Sequence, residues 1–322
     1  MTTFAKKLDI LGLYSNYKET RRSKKMKKIL LAILSIAMVG VLGVAAVGCG
    51  EDKMTDTITV ITREIGSGTR GAFIELTGVQ QKDKDGNKVD RTVKTAQVAN
   101  STAVALQNVQ KNPSAIAYIS LGSLDDSVKA VPFEGTAATV ANIKNGSYTL
   151  SRPFNLAYKA DNDNPTLADF MKYVASTEAA EVINGEDFIA PENTASYTKP
   201  ATAPTEKLVV NGSSSVHPLM QALVESYCKA SGVSTSTIDL QFNDSTSGMT
   251  GAMNGTYDLG MASRELKENE AAALQSVVLA TDGIAVIVNN MNPITNITKE
   301  QLCNIYIGVA TKWSDVGVSV EA

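Results

Sequence analysis

Three times along this chain a short β-branched run ends in a cluster of glycines and small hydroxyl residues and passes directly into a helical pattern. The stretches are "ITREIGSGTRGAF" (61–73), "NGSSSVHP" (211–218) and "NDSTSGMTGAMNG" (243–255). Strands that feed helices in this way define an α/β protein whose ligands gather at the carboxyl ends of the strands. A turn of this composition aims several backbone N–H groups at one point, at the positive end of a helix dipole, and its small side chains let an oxyanion approach closely. Arg63 adds a charge-assisted contact that can be bidentate. Taken singly, each stretch is equally an ordinary strand-to-helix turn. No Gly-Lys-Ser/Thr follows the glycines, so the phosphate-loop fingerprint of nucleotide hydrolases does not apply. Three such turns converging on one cleft would wrap a dehydrated anion in donors.

The rest of the body continues the alternation. Strand-like runs occupy 57–62, 115–121, 207–212, 236–243 and 283–289. "HPLMQALVESYCKASG" sets Leu219, Leu223 and Tyr227 at four-residue spacing, with Pro218 at its start and Gly232 past its end, which predicts a helix with both boundary signals. "STAVALQNVQKNP" and "TLADFMKYVASTEAAEVIN" read the same way. The alternation predicts a largely parallel sheet. Polar stretches interrupt it at 80–91, 159–165 and 190–207, the last a linker by composition.

With 322 residues and 43% hydrophobic content, the chain can fill one large core or two medium ones. Its net charge of −3 leaves no basic field for nucleic acid, so any anion site is local. Three cysteines (Cys49, Cys228, Cys303) and the single His217 cannot assemble a zinc cluster by spacing, and no cofactor is expected. At the N-terminus, "KKMKKILLAILSIAMVGVLGVAAVGCG" joins a lysine-rich start to an apolar run ending in small residues before Cys49, the layout of a secretory signal; an uncleaved anchor helix is the alternative. Either way the body lies outside the membrane. Translation can start at Met1 or Met26.

Several segments carry a resemblance. "LVVNGSSSVHPLMQALVESY", "STSGMTGAMNGTYDLGMASREL", "ATDGIAVIVNNMNPITNITKEQLCNIYIG" and "ITREIGSGTRGAF" resemble the signature segments of the phosphate-binding proteins of bacterial phosphate ABC importers. "AIAYISLGSL" and "NGSYTLSRPFNLAY" resemble the same family's later segments, and "AVGC" resembles a lipoprotein signal with Cys49 as the lipid-bearing residue. The order is rotated relative to the usual family layout, with "TKWSDVG" at the C-terminus rather than ahead of the arginine-glycine stretch. The resemblance therefore implies a two-lobed periplasmic-binding-protein-like fold of type II, circularly permuted. It implies 1–49 as an extension plus signal peptide, 57–122 with 291–322 as one lobe, and 130–288 as the other. It further implies a monomeric extracytoplasmic lipoprotein, anchored to the cell membrane, that delivers inorganic phosphate to an ABC permease and is no enzyme.

Carried over residue by residue, the resemblance implies anion contacts at Ser214 and Ser215, at Ser245, and at Arg63, Ser67, Gly68 and Thr69, with Ser263 and Arg264 as a further pair. Relatives commonly read Arg-Glu-Asp-Gly-Ser-Gly-Thr where this chain has Ile65 in place of the aspartate. A carboxylate in such a site accepts from the proton of hydrogen phosphate and repels fully ionised sulfate. Glu64 and Asp282 are the candidates to replace it, and sulfate or molybdate is the alternative ligand. A phosphoester hydrolase is the other alternative, but no G-x-S-x-G elbow surrounds these serines and no acid partner for His217 is evident. Trp313 reads as packing, Cys228 and Cys303 as small buried hydrophobes, Asp258 as a turn or cap residue, and Arg70 as either steering anions or facing solvent.

Overall fold

The computed structural model describes residues 53–320. The signal-like segment and Cys49 lie outside the described residues. A nine-stranded sheet organises the chain in the order β4-β1-β5-β11-β7-β10-β8-β9, with β6 paired to β11 off this path. These strands are β1 (Thr59–Arg63), β4 (Gln97–Ala99), β5 (Ala115–Ser120), β6 (Lys129–Val131), β7 (Ser151–Tyr158), β8 (Leu208–Gly212), β9 (Ile238–Leu240), β10 (Leu259–Ala262) and β11 (Gln275–Val288). The stretch 80–91 is not a break but a separate hairpin of β2 (Gln80–Lys82) and β3 (Lys88–Asp90).

The sheet is parallel only at its two ends. β1 runs parallel to β4 and β5, and β8 runs parallel to β9 and β10. In the middle, β11 is antiparallel to β5 and β7, and β7 is antiparallel to β10. The cause is the length of β11, which pairs with β7 through its first half and with β5 through its second. One strand thereby joins two parallel blocks. β7 carries Pro153, which removes a ladder donor and disguises the strand in the sequence.

The buried residues separate along the same line. One core packs the helices Pro165–Val174, Thr177–Gly185 and His217–Ser231 against β7, β8 and β10. A second gathers residues 58–79, 116–150 and 284–318, and a third lies between β1, β5, β11 and the helix Thr102–Lys111. Leu150 and Ile284 belong to the second core, whereas Phe154 and Ala280 belong to the first. Residues 151–153 and 281–283 are thus where the chain passes from one core to the other. The single helix read over 166–184 is two, because Ser176 caps a new N-terminus by accepting from Ala179 N at 3.2 Å.

The chain's end packs against its described beginning. Ile58 N donates to Thr311 O, Thr57 bridges to Lys312, and the fully buried Trp313 donates from Nε1 to Ser114 O at 3.2 Å. The segment 190–207 has little regular structure but is pinned at Tyr197. Its hydroxyl donates to Asp169 Oδ2 at 2.7 Å, and the Tyr227 hydroxyl donates to the same oxygen at 2.8 Å.

Candidate functional site

An aromatic block fixes the end of β1. Phe73 stacks on Tyr118 with ring centroids 3.8 Å apart, and Tyr306 meets Phe73 edge-on at 4.7 Å. Such pairs add about 0.5–1.5 kcal/mol each beyond their area burial. Their polar ends hold β1: the Tyr118 hydroxyl bonds Thr62 Oγ1 at 2.8 Å and accepts from Arg63 N at 3.2 Å, while Tyr306 donates to Ile61 O at 3.1 Å. Burial pushes the Tyr118 phenol above its ordinary pKa, so the hydroxyl keeps its proton. Arg63 thus projects from a braced strand end.

Its guanidinium is 2% exposed and engaged at every nitrogen. Nε donates to Glu64 Oε2 at 2.8 Å and Ala99 O at 3.2 Å, Nη1 to Thr102 Oγ1 at 3.2 Å, and Nη2 to Glu64 Oε1 at 2.7 Å and Ser214 Oγ at 3.0 Å. Both carboxylate oxygens of Glu64 therefore face Arg63. Ile65 is 91% exposed, so its position looks into solvent rather than toward Arg63. Arg70 does not float in solvent: it donates to Arg63 O at 2.6 Å and pairs with Asp90 of the hairpin at 2.8 Å.

The predicted turns meet as follows. Ser67 caps the helix Gly68–Thr77 by accepting from Arg70 N. Thr69 bonds Ser215 at 2.9 Å between hydroxyl oxygens. Gly212 holds φ at 145°, where an added Cβ would lie 2.2 Å from Met261 O, so only glycine lets β8 turn into the serine run. Ser213 donates from its hydroxyl to Ser263 at 2.9 Å, and Ser245 Oγ accepts from Ser263 N at 3.1 Å. Arg63, Thr69, Ser214 and Ser215 form one linked group, and Ser245 and Ser263 join through Ser213. Gly68 sits between them: a Cβ there would lie 2.3 Å from Ser245 Oγ and 2.7 Å from Ser263 Oγ. Arg264 turns instead to Glu270, which it grips at 2.7 and 2.8 Å.

Three participants escaped the sequence reading. Thr102, at the start of a helix capped by Ser101, accepts from Arg63 and bonds Ser215 at 3.1 Å. "ANSTAV" is a fourth strand-to-helix junction rich in small polar residues, the same signal that marked the other three. Asp244 caps the helix Ser245–Asn254, accepting from Ser247 N at 2.9 Å and Ser247 Oγ at 2.7 Å. It also crowds Gly66, whose carbonyl accepts from Thr246 N and Oγ1 at 3.2 Å each. The third is Arg152, paired with Asp282 at 3.1 Å, side chains 2% and 1% exposed. Burial pushes the Asp282 carboxyl up to about 6 against the opposing pull of Arg152. His217 tilts its ring against Phe242 at 4.7 Å, and burial holds its pKa below the usual value. Among the described residues, no three His, Cys, Asp or Glu side chains gather into a metal-holding group.

Four strand-to-helix turns and a buried arginine enclosing one point, on two cores joined by a long strand, define a two-lobed solute-binding protein. The PBP superfamily domain model matches residues 52–178 and 198–322. The phosphate-binding protein PstS 2 of Streptococcus agalactiae is 43% identical over 273 residues, covering 84% of this chain and 92% of that protein. A phosphate-binding protein of a phosphate ABC transporter from Streptococcus pneumoniae, solved by crystallography, is 41% identical with a TM-score of 0.63, covering 81% of this chain and 99% of that one. The PstS phosphate-binding protein of Borreliella burgdorferi is 33% identical over only 114 residues, 35% of this chain. The chain belongs to the PstS phosphate-binding protein family.

Proposed function

We propose that this protein captures inorganic phosphate between its two lobes outside the cytoplasm and delivers it to an ABC permease for import. It acts as a binding protein and not an enzyme, in keeping with its transport relatives. The observation that carries the reading is the bond set Arg63–Ser214, Thr69–Ser215 and Thr102–Ser215. It draws hydroxyls and a guanidinium from both cores onto one small volume at helix N-termini, where a tetrahedral oxyanion is best stabilised. Ser67, Gly68, Ser245 and Ser263 complete the cradle, while Arg264 shapes its rim through Glu270.

The lobes we assign follow the cores and depart from the expected bounds of 57–122 with 291–322 and of 130–288: Val131, Phe133, Ile143, Tyr148, Leu150 and Ile284 pack with Ile58 and Phe73, so residues 57–150 with 284–318 form one lobe and 151–282 the other, β7 and β11 serving as the hinge crossings. Closure brings Gly66 onto Thr246, a hinge motion of the kind binding proteins use. The circularly permuted segment order we infer rests on "ITREIGSGTRGAF" standing at 61–73 and "TKWSDVG" near the C-terminus. Tethering through lipidated Cys49 fits the "AVGC" sequence, and we assign the tethered protein as a monomer. Calorimetric titration of ligand-free protein with phosphate and then sulfate at neutral pH tests the reading. Phosphate binding that excess sulfate does not displace supports it; binding of sulfate alone overturns the ligand.

A further inference from the structure

The sheet order places the functional strand ends in one row. Arg63 ends β1 and Ser120 ends the adjacent β5; Ile284 of β11 pairs with Ser120, and Asp282, two residues back, pairs with Arg152 of β7. The row continues through Asn155 of β7, which pairs with Ala262 at the end of β10, and Met261 of β10 pairs with Gly212 at the end of β8. Ser120, Asp282 and Arg152 therefore lie between the strand ends that carry Arg63 and those that carry Ser213 and Ser263, at the point where the chain crosses from one core to the other.

The trio is buried and incompletely satisfied. Arg152 Nη2 donates to Asp282 Oδ2 at 3.1 Å, but Arg152 Nε and Nη1, Asp282 Oδ1 and Ser120 Oγ make no hydrogen bond of good geometry, although the Ser120 hydroxyl and Gly122 N–H lie near enough to Asp282 to favour its ionised form. Among the described residues only one other buried side-chain polar atom, the Tyr173 hydroxyl, shares that condition. A buried donor or acceptor left unmade costs about 1–3 kcal/mol, and more when charged, so four in one cluster demand a partner. Arg152 also lies within the electrostatic reach of Arg63 and Tyr118, the residues that build the cradle's other wall.

We propose that Arg152, Asp282 and Ser120 form the floor of the anion cleft: Arg152 donates Nε–H and Nη1–H to the oxyanion, and Asp282 Oδ1 accepts from the proton it carries. The inference rests on the phosphate reading. It supplies the acceptor that Ile65 and Glu64 do not, since Ile65 faces solvent and both Glu64 oxygens face Arg63. Hydrogen phosphate matches two donors and one acceptor. Sulfate has no proton to give and meets an opposing carboxylate. Because both floor residues sit on the crossing strands, the same contacts also tie ligand to hinge.

The test titrates wild type, Ser120→Ala, Asp282→Asn and the double variant Arg152→Met/Asp282→Leu with phosphate and with sulfate, each checked for folding by circular dichroism and thermal melting. The double variant replaces a buried ion pair by apolar side chains, an exchange cores tolerate. Ser120→Ala removes one hydroxyl and leaves the Arg152–Asp282 pair in place, so it is the mildest of the changes. The floor predicts at least a tenfold loss of phosphate affinity in the double variant, a severalfold loss in Ser120→Ala, and at least a tenfold narrowing of the phosphate-over-sulfate ratio in Asp282→Asn. A folded double variant and a Ser120→Ala protein with wild-type affinity overturn it, leaving the pair a structural brace. Should the double or Asp282→Asn variant not fold, Ser120→Ala decides alone. Should wild type bind sulfate and not phosphate, the phosphate reading and the proton-acceptor role of Asp282 fail together; Arg152 is then judged by whether sulfate affinity falls in the double variant.

Discussion

Replacing Gly68 by alanine isolates closure from folding. Gly68 is the first residue of its helix and its φ is not positive, so alanine is compatible with the backbone there and favoured over glycine in a helix by roughly 0.5–1 kcal/mol. The new methyl carbon, however, would stand 2.3 Å from Ser245 Oγ and 2.7 Å from Ser263 Oγ, both buried and on the opposite core, with Ser263 backbone at 3.0 Å. The lobes must move apart to admit it. Separation sacrifices Arg63–Ser214, a bond to a charged group worth about 1.5–3 kcal/mol, and Thr69–Ser215, a neutral one worth about 0.5–1.5. The expected loss in binding is about 2–4 kcal/mol, or roughly 30- to 1,000-fold in affinity. Calorimetry gives the affinity, melting shows the fold intact, and small-angle scattering with saturating phosphate reports a less compact particle than wild type. A Gly68→Ala protein that binds as wild type does, or stays equally compact with ligand, refutes the claim that the two serine turns close on this glycine.

Arg63→Ala is expected to weaken phosphate binding at least tenfold without unfolding the chain, since a charge-assisted bond contributes about 1.5–3 kcal/mol and Glu64, partly exposed, can turn to water; titration beside a melting curve checks both halves. For Asp282, the folded pKa of about 6 lies above its ordinary 3.8, so the folded chain holds the proton more tightly than the unfolded one. The stability this supplies is present below about pH 3.8 and lost as pH rises through about 6, so the melting-temperature difference, wild type minus Asp282→Asn, must fall between pH 4 and 7; a difference that grows is the wrong sign. A chain beginning at Gly50 is expected to fold and bind phosphate as the full-length protein does, because the described cores are built from residues beyond 53; poorer binding would assign the preceding segment a structural role.

Local chemistry was legible in the sequence, and long-range pairing was not. The helix His217–Ser231 ends at Gly232 with φ at 82°, as the proline and glycine signals required, because capping depends on residues a few positions apart. The serine and glycine turns were legible for the same reason. β7 was hidden by Pro153 and by a buried Arg152, residue types that argue against a central strand until their partners on β11 are known. The first half of β11 was missed because its residues alternate poorly, being largely exposed before Leu279 and buried after it. Thr102 and Asp244 carry cap-like signals with nothing to single them out; what gives them their place is contact with residues more than a hundred positions away, Ser215 and Gly66.

The pairing of charges explains how an acidic chain can hold an anion without a basic field. Each arginine that borders the turns has its own carboxylate: Arg63 with Glu64, Arg70 with Asp90, Arg152 with Asp282 and Arg264 with Glu270. Within a Debye length of about 8–10 Å such pairs nearly cancel, so little attraction reaches outward into solvent. What remains at the site is directional: N–H groups and hydroxyls already oriented by caps and strand ends, in surroundings drier than water where a hydrogen bond is electrostatically stronger. A cradle built this way recognises the shape and protonation of its ligand more than its total charge. It can also let the ligand go, because opening the hinge rehydrates an anion that no uncompensated cation restrains.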